Sequence, residues 1–175
     1  MTNTLLASAF PPTPFALAIF FLIPYHISPF SFLSKMMNNL ELERLLNEKL
    51  STDRINDYAP NGLQVEGKSE IKKIITGVTA SQALIDYAVA QQADAVLVHH
   101  GYFWKSENPC IRGMKGKRIK TLLVNDINLY GYHLPLDVHP ELGNNAKLAQ
   151  LLGIGDLQPL ENSSTSIPVW GTLKD

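Results

Sequence analysis

The sequence predicts an α/β protein built on a mostly parallel sheet with flanking helices. Three observations predict it. Short β-branched or apolar runs alternate with amphipathic segments; one run, Asp94 to Val98, is almost continuously apolar, as expected of a strand covered on both faces; and Gly, Ser, Asn and Pro mark the changes of period. Strand, helix, strand, helix, strand, helix is the order of βαβ units, whose crossovers keep the strands largely parallel.

The elements follow in chain order. Leu40, Leu42, Leu45, Leu46 and Leu50, separated by Glu, Arg, Asn and Lys, fit an amphipathic helix that begins near Asn38 or Asn39. In "DYAPNGLQVEG", Asp57 to Gly67, the Pro60-Asn61-Gly62 run is turn chemistry. "IKKIITGV", Ile71 to Val78, is short and β-branched and reads as a strand. "GVTAS" ends it, with Thr79 or Ser81 as N-cap of a helix through "QALIDYAVAQQA". Asp94 to Val98 is the next strand. After the loop "HHGYFWKSENPC", the segment "KGKRIKTLLVNDI" reads as helix. Asn128 to Leu136, "NLYGYHLPL", reads as a third strand leading to Asp137, and "ELGNNAKLAQLLGI" as a helix closed by Gly153. The signal weakens after Gly155, and "PVWGTLKD" resembles the start of another strand or turn.

The 175 residues are enough for one domain with a sizeable core. Fifteen basic residues against sixteen acidic give a net charge of -1, so the chain as a whole lacks the electrostatic footprint of a nucleic-acid binder. A single cysteine, Cys110, excludes an intrachain disulfide and suits a reducing cytoplasm. Residues 1–35 differ from the rest. Met1 to Ser34 contains no Asp, Glu, Lys or Arg, and its apolar run Phe15 to Ile23 is nine residues, whereas a membrane-spanning helix needs about 20. No basic residue precedes that run and no A-x-A-like site follows it, so a secretory signal is disfavoured. Residues 1–35 are expected to lie outside the fold, with Met36 and Met37 as alternative starts, and residues 36–175 to form the folded unit.

The chemistry concentrates at two predicted strand ends. In a parallel sheet, ligands collect outside the carboxyl ends of the strands, where loops converge. His99 and His100 end one strand; His133, Asp137 and His139 lie at the end of another. Imidazole nitrogen and carboxylate oxygen together suit Zn, Fe, Mn, Co or Ni. Adjacent residues of a strand point to opposite faces, so His99 and His100 could not share one ion if the strand ran through them; Gly101 permits a turn, and two ions could take one imidazole each, with Asp137 as a bridge. Each residue also has a plainer reading. His139, beside Pro140, fits a surface histidine, and His133 fits a buried group that orients a ligand.

Other features are weaker. "GVTAS" could seat a phosphate at a helix N-terminus or be an ordinary turn. Arg112, Lys115, Lys117, Arg118 and Lys120 could attract an anionic partner or form a solvated helix face. Tyr102, Phe103 and Trp104 could stack on a ring or wall the site with apolar area. No G-x-G-x-x-G, P-loop or G-x-S-x-G occurs, which leaves nucleotide-cofactor and serine-hydrolase readings without an anchor.

From Met37 to about Leu160 the chain resembles the GTP cyclohydrolase I type 2 homologue family, also called the Ngg1-interacting-factor-3-like or YbgI-like dinuclear metal-binding proteins. The likeness rests on "DYAPNGLQVEG", "GVTAS", "DAVLVHHGYFW", "IRGMK" and "YGYHLPLDVHPELGNNAKLA". It implies a first lobe of a two-lobed α/β fold, a ring-shaped homohexamer, and two divalent ions per subunit with ligands at His99, His100 and Asp137. It also implies a further His and Glu near the family's C-terminus. Here no histidine follows His139, so the expectation is a chain truncated relative to the family. The function expected is a metal-dependent hydrolase of a small substrate. The alternatives are a non-enzymatic metal-binding or regulatory scaffold and an inactive fragment.

Overall fold

The computed structural model describes residues 36–162 and 166–173. The expected leader, residues 1–35, lies outside the described residues. After the short strand β1 (Met37–Asn38), the Asn38 side chain accepts the Leu40 and Glu41 N–H groups at 2.9 and 3.4 Å and so caps helix α1 (Asn39–Leu50). Ser51, left-handed with φ 51°, ends that helix. A 3-10 turn and the Asp57–Asn61 segment lead to β2 (Gly62–Val65), then β3 (Glu70–Ile71) and β4 (Ile74–Thr79). Ser81 Oγ accepts the Leu84 N–H at 3.2 Å and starts α2 (Gln82–Ala90), so "GVTAS" is a strand-to-helix turn capped by its own serine.

Next come β5 (Ala95–His100), α3 (Gly113–Val124), β6 (Asn128–Gly131), α4 (Leu134–Val138) and α5 (Asn144–Leu151). A separate antiparallel hairpin, β7 (Ile154–Pro159) and β8 (Val169–Leu173), occupies the segment where the sequence signal weakens.

The central sheet has the order β2-β6-β5-β4. Strands β4, β5 and β6 are parallel, and β2 pairs antiparallel with β6. Side chains alternate across it. Val96, Val98 and Leu129 face one way and pack with Ile85 and Ala88 of α2 and Ile119 and Leu122 of α3. Ala95, Leu97 and Tyr130 face the other way, against Leu42 and Leu50 of α1. Covering on both faces is why β5 reads as a continuous apolar run.

Two boundaries that differ from the expectation shape the site. Strand β5 does not stop at Val98 but continues through His99 and His100, because His100 pairs with Thr79 of β4 in the parallel ladder. Strand β6 ends at Gly131 rather than running to Leu136. Pro135 falls in the first turn of α4, where its missing N–H costs nothing and its fixed φ favours the helix. Asp137 therefore sits on a short helix above the sheet end and not on a strand.

Candidate metal centre

Strands β5 and β6 both end at this edge, where His99 and His100 of β5 meet His133, two residues past the end of β6. His99, His100 and His133 each place a ring nitrogen within 4.8 Å of those of the other two. Ring centroids lie 4.5 Å apart for His99 and His100, 4.8 Å for His99 and His133, and 5.7 Å for His100 and His133. Continuation of β5 through the histidine pair thus does not separate the two imidazoles. Each is tied to a different neighbouring strand: His99 Nδ1 lies 3.0 Å from the Tyr132 carbonyl just after β6, and His100 Nδ1 lies 3.2 Å from Thr79 Oγ1 on β4.

The His99 contact fixes a protonation pattern. A carbonyl oxygen only accepts, so Nδ1 carries the hydrogen, and in the neutral ring the lone pair is left on Nε2. That nitrogen lies 3.5 Å from Asp137 Oδ1. Asp137 is held in turn by the Asn144 side-chain amide, which donates to Oδ1 at 2.8 Å from the start of α5. His100 is pushed toward its neutral form first by burial and then by the neighbouring His99 and His133, against the opposing pull of Asp137. Neutral imidazole is the form that binds a metal. The donor set therefore suits a divalent cation.

His133 is buried at the N-terminal boundary of α4. Its backbone N–H donates to Asn61 Oδ1 at 2.8 Å, and its Nδ1 lies 3.1 Å from Asp57 Oδ1. Burial pushes the Asp57 carboxyl up, but hydrogen bonds from Asn61, His133 and the Leu134 and Ala59 N–H groups outweigh it and hold the group below its ordinary value. Tyr58 and Trp104 stand edge-on to the His133 ring at 5.1 and 4.9 Å and wall the cluster on that side.

The structure brings His99, His100 and Asp137 to one rim and adds His133 to them. His139 is outside the cluster. Its Nδ1 accepts the Glu141 and Leu142 N–H groups at 3.2 and 3.1 Å, so it closes the turn before α5. Of the aromatic trio, Trp104 reaches the cluster, whereas Tyr102 is buried and Phe103 packs on the core. The basic residues from Lys115 to Lys120 ride on α3, and Lys115 pairs with Glu107 at 3.4 Å. Asp57, Tyr58, Asn61 and Thr79 were not singled out as site residues from the sequence. Asn61 reads there as part of the Pro60-Asn61-Gly62 turn, and nothing in local spacing ties Asp57 to a histidine 76 residues away.

The sequence profile described as Duf34/NIF3 (NGG1p interacting factor 3) matches residues 37–175. The chain belongs to the Duf34/NIF3 family. Within it, a "GTP cyclohydrolase 1 type 2 homolog" of Haemophilus influenzae is 84% identical over 139 residues, which is 79% of this chain and 55% of that protein. The Escherichia coli protein of the same description is 67% identical over 140 residues, covering 78% of this chain and 54% of its own. Among solved structures, the ybgI protein superposes with a TM-score of 0.69 at 71% identity, over 70% of this chain and 49% of that one. Reduced HcgD from Methanocaldococcus jannaschii superposes with a TM-score of 0.64 at 29% identity, over 72% of this chain and 51% of its own. The chain spans about half the length of the curated Duf34/NIF3 relatives it matches. Among the described residues, no helix is long and apolar enough to cross a membrane.

Proposed function

We propose that this protein binds divalent metal at the rim built by His99, His100 and Asp137, with His133 beside them, and that the centre serves hydrolysis of a small substrate. The observation that carries the reading is the convergence of three imidazoles within 4.8 Å, with Asp137 Oδ1 3.5 Å from His99 Nε2. Neutral imidazoles and a carboxylate gathered this closely are ligands that suit divalent metal, and the pair of ions is what the family resemblance implies. When bound, such ions would polarise the bond to be broken and lower the pKa of an attacking water.

The residues contribute separately. His99 and His100, anchored at Nδ1, present their remaining nitrogens; Asp137, held by Asn144, supplies a carboxylate; Tyr58 and Trp104 restrict access of water from the His133 side. The ring-shaped hexamer implied by the family resemblance is part of the same proposal, as is placement in the cytoplasm. The test is metal content and competition with a chromophoric zinc chelator for the wild-type chain, His100→Ala and Asp137→Asn. Zinc affinity should fall in each variant by more than the 10–100-fold that removal of an outer partner typically costs. Zinc binding unchanged in both variants would overturn the metal assignment. Zinc binding without hydrolysis across phosphoesters, amides and nucleotides would overturn the hydrolase assignment alone.

A further inference from the structure

We infer that Asp57 is a positioning residue that locks His133 in its Nδ1–H tautomer and so aims the Nε2 lone pair at the histidine cluster. The inference rests on the metal-binding reading for its purpose but not for its geometry.

Hydrogen-bond accounting carries it. Asp57 Oδ1 accepts the Ala59 N–H at 3.0 Å and faces His133 Nδ1 at 3.1 Å; Oδ2 accepts Asn61 Nδ2 at 3.0 Å and the Leu134 N–H at 2.8 Å. Two of these partners are backbone N–H groups, which can only donate. The Asn61 amide is oriented by its own second bond, since its Oδ1 accepts the His133 backbone N–H at 2.8 Å. Three donors independent of His133 stabilise Asp57 as a carboxylate, the form an aspartate takes at neutral pH, and an ionised carboxylate only accepts. The hydrogen between Asp57 and His133 must sit on Nδ1, which puts the neutral ring's lone pair on Nε2. The side chains of both partners are almost fully buried, 3% exposed for Asp57 and 8% for His133, so water does not scramble the pattern.

The three imidazoles are then inequivalent. His99 is backed by a carbonyl, His100 by a hydroxyl and His133 by a carboxylate. A carboxylate behind an imidazole makes the far nitrogen the most electron-rich of the three. Asp57 could have been read as a turn residue only, tying Ala59 and Asn61 to the start of α4. That role uses three of the four bonds and leaves the His133 contact unexplained.

Long-range 15N–1H NMR on metal-free protein at about pH 8 tests this directly. His133 in the wild type should show a protonated Nδ1 and an unprotonated Nε2. His139 is an internal reference of opposite sense, because its Nδ1 accepts two backbone N–H groups and its hydrogen belongs on Nε2. In Asp57→Ala, which leaves Nδ1 no side-chain acceptor, the His133 tautomer should shift or mix while that of His139 stays, and zinc affinity should drop about 10–100-fold. Asp57→Glu should recover part of the tautomer preference. A wild-type His133 with its hydrogen on Nε2 overturns the inference, even if no variant folds. So does an unchanged tautomer in Asp57→Ala. A wild type that shows the expected tautomer yet binds no zinc overturns the proposed function and leaves the positioning geometry standing.

Discussion

Asp94 lies at the opposite end of β5 from the histidines and isolates the energetics of the fold from those of the site. Its Oδ2 accepts the Lys72 and Lys73 N–H groups at 2.8 Å each, and its Oδ1 pairs with Lys68 Nζ at 2.7 Å. It thereby clamps the β3–β4 turn onto the start of β5. Asp94→Asn can keep one oxygen toward the two backbone donors, but it loses the charge. A hydrogen bond to an ionised group contributes about 1.5–3 kcal/mol against about 0.5–1.5 for a neutral one, so the two bonds together lose about 2–3 kcal/mol. The Lys68 pair adds less than about 1 kcal/mol, because its ammonium side chain is 43% exposed and well screened. The sum is about 3 kcal/mol, or about 6–12 °C in Tm for a chain of this size. Burial pushes the Asp94 carboxyl up, but Lys68 and the two backbone donors more than reverse that and hold it below the ordinary value. A depressed folded-state pKa contributes stability that is complete above the unfolded value near 3.9 and is lost as pH falls through the lower folded value. Thermal melts followed by circular dichroism from pH 7 to pH 3 should show the full gap at neutral pH and a narrowing gap below about pH 4. A gap under about 1 °C at pH 7, far short of the expected shift, or one that persists undiminished at pH 3, would refute this account.

Two further predictions concern the backbone that holds the site. The Gln64 side chain crosses Gly131 and Gly101, donating to the Pro60 carbonyl and accepting the Tyr102 N–H, both at 2.8 Å, and a Cβ at Gly131 would run into its amide. Gly131→Ala should cost about 1–3 kcal/mol in urea unfolding, the usual penalty of overpacking, and a neutral result would show that Gln64 moves aside freely. Gln92, exposed just past α2, holds φ 52°, a region that costs a non-glycine residue about 1–2 kcal/mol. Gln92→Gly relieves that cost and gives back about 0.5–1 kcal/mol in unfolded-chain entropy, so the variant should be stabilised by about 0.5–1 kcal/mol in the same assay. Destabilisation would mean that the Gln92 side chain makes a contact worth more than the strain.

The parallel strands β4, β5 and β6 were legible because their signals are local and redundant, whereas the antiparallel edge strand β2 lies in a stretch that reads only as a turn. The strand-to-helix order, the Asn38 and Ser81 caps, and the apolar run of β5 each follow from residues within a few positions of one another. The boundaries that failed were set by tertiary contacts. His99 and His100 are drawn into β5 by pairing with β4, which a polar, glycine-flanked pair does not advertise. "YGYHLPL" has the aromatic and apolar content of a strand, yet Asp57 and Asn61 capture the backbone N–H groups of Leu134 and His133 and turn the chain into α4. A turn segment far upstream decides where that strand stops.

The same long-range logic explains which part of the site could be read. His99, His100 and Asp137 are legible as neighbours because the chain leaving β6 stays at the edge where β5 ends, even though Asp137 rides on α4 and not on the strand. The partners that orient them are another matter. Tyr132 acts through its carbonyl, which any residue would supply, and Thr79 acts through a register that only the sheet defines. Asp57 joins His133 across 76 residues through a loop whose sequence already has a sufficient local explanation as a turn. Sequence therefore exposes the groups that could touch a cation and conceals the groups that decide which nitrogen of each ring is free to do so. That division is why substituting Asp57 or Thr79 tests the site more sharply than substituting the histidines: loss of a ligand weakens almost any metal centre, whereas a change of tautomer with the ligand still in place is specific to this arrangement.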